Sequence, residues 1–256
     1  MSALLPRRAV LAGIAALSGC ACGCGALAQS QTMTRRIAPE GCVLSSIDAT
    51  AVADRARTPQ DYADTATRST GNADMDRAFD LALQRLAAIL EVTPGFAFYD
   101  DFDGENAVAT PALLLGVPIG SVFFGTGLFK TLLAEDPSGG GVMWVAAHEF
   151  AHILQFQSNV RDLLLQGEST VRRLELHADY MAGYYLGRRK ADEPRASLFH
   201  AGQSVWGSGD TNYNSPGHHG TPAERVAASE KGFLAALQQG VSRDDAFQAG
   251  FDYVMS

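Results

Sequence analysis

From Asn72 the chain carries a helical hydrophobic period. Met75, Phe79, Ala82, Leu86 and Ile89 recur at alternating steps of four and three, one face of an amphipathic helix that Thr93-Pro94-Gly95 ends. The period then shortens. GFAFY (95–99), NAVAT (106–110) and GSVFFG (120–125) read as strands, with an acidic turn, DDFDGE, after the first. No charge falls between Glu105 and Lys130, but the prolines and glycines inside that stretch favour buried strands and turns over a membrane span. Helices follow at 127–135, at about 142–157 and at about 169–189. After a polar, glycine-rich loop (202–220), Thr221-Pro222-Ala223-Glu224 forms a capping box with proline at the first helical position. A last short helix follows Ser242. This order predicts an α+β fold, mostly helical, with a small sheet of about three strands beside the helix at 142–157.

The N-terminal part has a different pattern. Arg7 and Arg8 precede an apolar run, Ala9–Leu17, that is too short to span a bilayer and is followed by small residues. This is the layout of an export signal over residues 1–28. Two cleavage points are compatible with it. Leu17-Ser18-Gly19-Cys20 resembles a bacterial lipobox, which would leave a lipidated Cys20 as a membrane anchor. Ala26-Leu27-Ala28 resembles an ordinary signal-peptidase site. The expected location is the bacterial cell envelope. Residues 29–70 read as a polar arm with one helix near 59–68, and 71–256 as the functional domain.

Charge and cysteines narrow the function. The chain has 256 residues and a formal net charge of −8, so nothing neutralises phosphates in bulk and no nucleic-acid partner is expected. Three of the four cysteines (Cys20, Cys22, Cys24) lie in the signal region. Cleavage after Ala28 would leave Cys42 alone, with no internal disulfide. Gly139–Gly141 lacks the ending of a phosphate loop and reads as a turn before a helix.

The chemistry concentrates in VAAHEFAHILQF (145–156). On a helix His148 and His152 project from one face about one turn apart, a spacing at which two imidazoles can share one zinc ion. Glu149, one residue on, does not reach the metal as the histidines do, but it reaches a water beside it. A third ligand is expected on another element. RRLELHADYMAGYY (172–185) supplies Glu175 and Asp179, four apart on one helical face. One can complete the metal site and the other can accept the far N–H of a ligand histidine. Spacing alone does not choose between them. His177 points elsewhere on that helix and reads as a surface histidine.

HEFAH followed by ELHAD resembles the gluzincin metallopeptidases, closest to the minimal HtpX-like and CAAX-protease-like group and to the bacterial neutral zinc metallopeptidases. The resemblance covers about residues 95–235, including HGTPAERVAASEKGF (219–233). It implies a minimal-gluzincin domain with His148, His152 and Glu175 as zinc ligands, Glu149 as catalytic base and Asp179 orienting a ligand. It implies zinc-dependent hydrolysis of a peptide or protein substrate. No transmembrane helices surround the motif, so the membrane-embedded substrates of the integral-membrane members do not carry over.

The tetrahedral oxyanion of amide hydrolysis needs a donor besides the metal. His218, His219, Tyr184, Tyr185 and Arg225 are candidates. His219, just before the capped helix in the matching segment, is the favoured one, and Arg225 can instead pair with an acid of the second motif. The strand Ser121–Phe124 is expected to flank the cleft, either as an edge that pairs with an extended peptide or as a plain buried strand. Two other classes compete with the peptidase: a non-peptidase zinc hydrolase, and an exported binding or chaperone-like protein whose zinc is structural and closed by a fourth ligand such as His218 or His219.

Overall fold

Three strands, β1 (Gly95–Tyr99), β2 (Ala107–Thr110) and β3 (Ser121–Gly125), make one mixed sheet in the order β1-β3-β2. The computed structural model describes residues 57–194, 209–213, 215–238 and 240–256. The export signal, the lipobox and most of the polar arm lie outside them. β3 runs parallel to β1 and antiparallel to β2. It is the central strand, so the expected edge at Ser121–Phe124 is not there. Both of its hydrogen-bonding sides are taken, which leaves no place for a peptide.

Alternation along the strands sorts two faces. Phe96, Phe98, Val122, Phe124, Ala107 and Ala109 turn to the main core, where Phe98 and Phe124 pack around Phe129. Ala97, Tyr99 and Phe123 turn to the other face. There α1 (Pro59–Asp64), held at its start by a capping box from Thr58, lays Tyr62 on Phe123 and edge-on to Tyr99. Thr67 bridges Phe98 on the outer side of β1. Residues 57–70 of the predicted arm thus cover one sheet face and one sheet edge.

α2 (Ala73–Leu90) begins at Asn72, whose side chain accepts from the Asp74 and Met75 amides. Its predicted apolar face is the packed one: Phe79 and Leu86 are buried, with Met75, Ala82 and Ile89 against the core. α3 (Thr126–Glu135) follows β3 directly, its first amides accepted by Asp101.

α4 (Gly140–Gln157) is buried on every side from Gly140 to Gln155. A helix apolar all round belongs in a core, and the polar residues it carries there need partners. After the short α5 (Arg161–Leu165) comes α6 (Arg172–Asp192), buried from Leu174 to Gly187. α7 (Pro222–Leu237) starts with the expected Thr221 capping box, and α8 (Arg243–Met255) with one from Ser242. α6 and α7 meet backbone to backbone: a Cβ built on Gly183 would strike the Ser229 carbonyl, and one on Gly232 the Tyr180 carbonyl. No helix among the described residues is long and apolar enough to cross a membrane.

Candidate metal centre

α4 and α6 lie side by side, and their buried polar residues meet. His148 and His152, one turn apart on α4, bring their Nε2 atoms to 3.0 Å of each other. Glu175 on α6 places Oε2 3.2 Å from His148 Nε2 and Oε1 3.6 Å from His152 Nε2. These three residues can hold a metal ion. Ligands at about 2.0–2.1 Å in tetrahedral array lie ~3.4 Å apart, so this triangle has the right edge length.

Proton bookkeeping supports the same conclusion. His148 Nδ1 lies 2.9 Å from Asp179 Oδ1, and an ionised carboxylate only accepts, so Nδ1 carries the hydrogen. His152 Nδ1 lies 2.8 Å from Gln155 Oε1, again an acceptor. In the neutral rings both Nε2 atoms are therefore bare and point at one spot, together with a carboxylate. Such a donor set repels itself unless a cation or a proton sits within it. Burial opposes charge on His148, but hydrogen bonds to Asp179 and Glu175 outweigh it and raise its pKa above 6.5. Burial would also raise Glu175. The His152 charge and hydrogen bonds from His148 and His152 instead hold it well below the usual carboxylate range.

Asp179 is fixed from behind. Arg225 of α7, wholly buried, donates Nε to Oδ2 at 2.7 Å and Nη2 to Oδ1 at 2.8 Å. Its guanidinium also lies over the Trp144 ring, 5.8 Å from the centroid, and Trp144 packs on His148. Burial works against the Asp179 charge, but Arg225 prevails and the pKa is lowered.

Glu149 is the anomaly. It is fully buried, and neither carboxylate oxygen has a hydrogen-bond partner among the described residues. The Ala109 amide on β2 favours the charged form, as does His152, without reaching hydrogen-bond geometry. Burial dominates and pushes the carboxyl up to about 8. An orphaned buried carboxyl is costly and calls for an explanation.

The other sequence candidates divide. His219 stands near enough to Glu175 to stabilise its charge. Its amide donates to Asp210 Oδ2 at 2.9 Å, while His218 Nδ1 lies 2.6 Å from Asp210 Oδ1. Tyr184 donates to the Val241 carbonyl, and Tyr185 lies by Arg189, so neither is brought to the centre. Arg225 takes the alternative role of pairing with Asp179. His177 is not on the surface: it is fully buried, with Nε2 3.0 Å from the Phe247 carbonyl of α8, because α6 has a helix on that side as well. Burial lowers its pKa to about 4. Gln155 and Asp210 were missed. Gln155 was discoverable, being three residues after His152 and on the same helical side. Asp210 lies in a loop with no periodic signal.

The His148, Glu149, His152 and Glu175 side chains are all enclosed. The cavity of about 580 Å³ beside the acidic turn is lined by Asp100–Glu105, Thr126, Gly127 and Lys130, and contains none of them. No protein-family model, no curated protein and no solved structure matches this chain. The geometry of the site therefore carries the functional reading.

Proposed function

We propose that this protein is a zinc-dependent hydrolase of peptide bonds, of the gluzincin kind that the HEFAH and ELHAD motifs resemble, acting on proteins or peptides of the bacterial cell envelope. The observation that carries the proposal is Glu149: a buried carboxyl without a hydrogen-bond partner among the described residues, next to a three-residue metal group. Two neutral imidazoles and one carboxylate are a donor set that suits zinc. When bound, zinc supplies Lewis acidity and lowers the pKa of a nearby water.

The residues divide the remaining work. His148, His152 and Glu175 hold the ion. Asp179, clamped by Arg225, fixes the His148 tautomer. Glu149 accepts a proton from the attacking water at a carboxylate oxygen and returns it to the leaving amine nitrogen. A base that is neutral before the metal enters and ionised beside a cation is tuned for this, since the cation opposes the burial that raised its pKa. His219, backed by Asp210, donates to the developing oxyanion.

The enclosure of the centre favours a second reading, a structural metal in an envelope protein with a binding role. Glu149 argues against it, because a structural site gains nothing from an unpaired carboxyl beside its ligands. For hydrolysis a peptide must reach Glu149, which is enclosed in the present conformation. The test is incubation of the purified protein with an unfolded substrate protein, with zinc, with chelator, and with zinc restored. New termini that vanish with chelator and return with zinc support the hydrolase. Stoichiometric zinc with no cleavage supports the structural metal.

A further inference from the structure

Gln155 and His177 take no part in the chemistry above, yet both are fully buried and join α4, α6 and α8. Gln155 places Oε1 2.8 Å from His152 Nδ1. Its Nε2 lies 2.8 Å from the Leu174 carbonyl oxygen and 3.0 Å from His177 Nδ1. His177 Nε2 in turn lies 3.0 Å from the Phe247 carbonyl oxygen, with the Phe247 ring edge-on to the imidazole at 4.6 Å.

The directions of these bonds follow from the two backbone carbonyls, which only accept. The Phe247 carbonyl requires a hydrogen on His177 Nε2. The neutral ring then leaves Nδ1 bare, so it accepts from Gln155. The Leu174 carbonyl takes the second amide hydrogen of Gln155. Both Gln155 donors are thus spoken for, and Oε1 has to face His152. His152 Nδ1 therefore holds its hydrogen, and its Nε2 lone pair is presented to Glu175 and His148. Rotating the Gln155 amide by half a turn would set its oxygen against the Leu174 oxygen and the bare His177 nitrogen. Two repulsions replace two hydrogen bonds, so the orientation has no alternative.

We propose that Gln155 and His177 are positioning residues that impose the metal-binding tautomer on His152, anchoring it to the α8 backbone. This rests on the metal reading of the centre. It makes the two histidines unlike: His148 is oriented by a charged carboxylate, and His152 by a neutral relay that adds no charge. Orienting partners of this kind typically change metal affinity or activity by about 10–100-fold.

The test is zinc affinity, by competition with a chromophoric chelator, for the whole protein and for Gln155→Leu, His177→Phe and Gln155→Glu, with long-range ¹H–¹⁵N spectra of the imidazoles in the metal-free wild type. The spectra are expected to show hydrogen on His177 Nε2 and on His152 Nδ1. Gln155→Leu is expected to weaken zinc by about 10–100-fold and His177→Phe by less, since it acts only through Gln155. Gln155→Glu keeps an acceptor for His152 but turns its second oxygen on the Leu174 carbonyl and the bare His177 Nδ1, so it is expected to weaken zinc as well. Far-UV circular dichroism and urea melts of each metal-free variant separate tautomer control from a general folding defect. Hydrogen on His177 Nδ1, or wild-type zinc affinity in both Gln155→Leu and His177→Phe, overturns the relay while leaving the centre intact. A wild type that binds no zinc overturns the metal reading itself.

Discussion

Arg225 and Asp179 form a two-point ion pair, at 2.7 and 2.8 Å, between helices that touch through glycines. Both partners are wholly buried, and Asp179 Oδ1 also takes the His148 hydrogen. The pair links a packing feature, the close approach of α6 and α7, to the proton state of a metal ligand. Glu175, one turn away on α6, faces the same histidines directly.

This separates the two acids of the ELHAD motif. Glu175→Ala is expected to lose most of the zinc on dialysis, because it removes a ligand. Asp179→Asn is expected to keep the site and weaken it by about 10–100-fold. Zinc content after identical dialysis, measured by atomic absorption, checks this. Zinc lost from the Asp179 variant and kept by the Glu175 variant would reverse the roles.

The glycine contact gives a prediction distant from the metal. Gly232→Ala would push α7 off the Tyr180 carbonyl and drag Arg225 away from Asp179. The expected outcome is a loss of about 3 kcal/mol by denaturant titration, from overpacking and from a disturbed buried pair, together with weaker zinc binding. Unchanged stability would mean that the helices do not meet as closely as described.

The legible parts of the fold are those written in local pattern. The α2 face, the Thr221 capping box and the histidine pair each need only a few neighbouring residues to be recognised. Strand order is not local: GSVFFG looks the same at an edge as in the centre, and its central place depends on how β1 and β2 find it. His177 was misjudged for a related reason. A histidine that points away from the metal face of its helix suggests solvent, but α6 has helices on several sides, and its burial is decided by α8, seventy residues on. Of the centre, His148 and His152 converge as their spacing suggests, and Glu175 rather than Asp179 faces their Nε2 atoms, a choice that spacing leaves open, whereas the Gln155–His177 relay depends on two carbonyls that no motif records.

Glu149 makes the stability of the metal-free protein depend on pH. Its ordinary pKa is 4.5, and burial pushes it to about 8 in the fold. Between those values the unfolded chain releases the proton while the folded one keeps it. Stability is therefore full below 4.5 and falls as pH rises toward 8. Glu149→Gln removes that loss and is expected to stabilise the metal-free protein by about 3 kcal/mol at pH 7. Urea melts of both chelated proteins at pH 5 and pH 7 check it, and an equal difference at both would contradict it.

His177 acts in the opposite sense. Its pKa is 6.5 ordinarily and about 4 in the fold. As pH falls through that window the unfolded chain takes up a proton that the folded one refuses, so stability declines by up to about 3 kcal/mol. Removing the ring by His177→Phe is expected to flatten this acid limb between pH 6.5 and pH 4. A limb as steep as the wild type's would place the titration elsewhere.

The most direct test of the central claim compares the wild type with Glu149→Gln, both loaded with zinc to one equivalent, on the same unfolded envelope proteins. The measurement is the appearance of new N-termini by mass spectrometry. The account predicts cleavage by the wild type and a loss of at least ~100-fold in the variant, with zinc fully retained, since Glu149 moves the proton and does not hold the ion. A variant that cleaves at near wild-type rate would contradict it, as would one that purifies without metal.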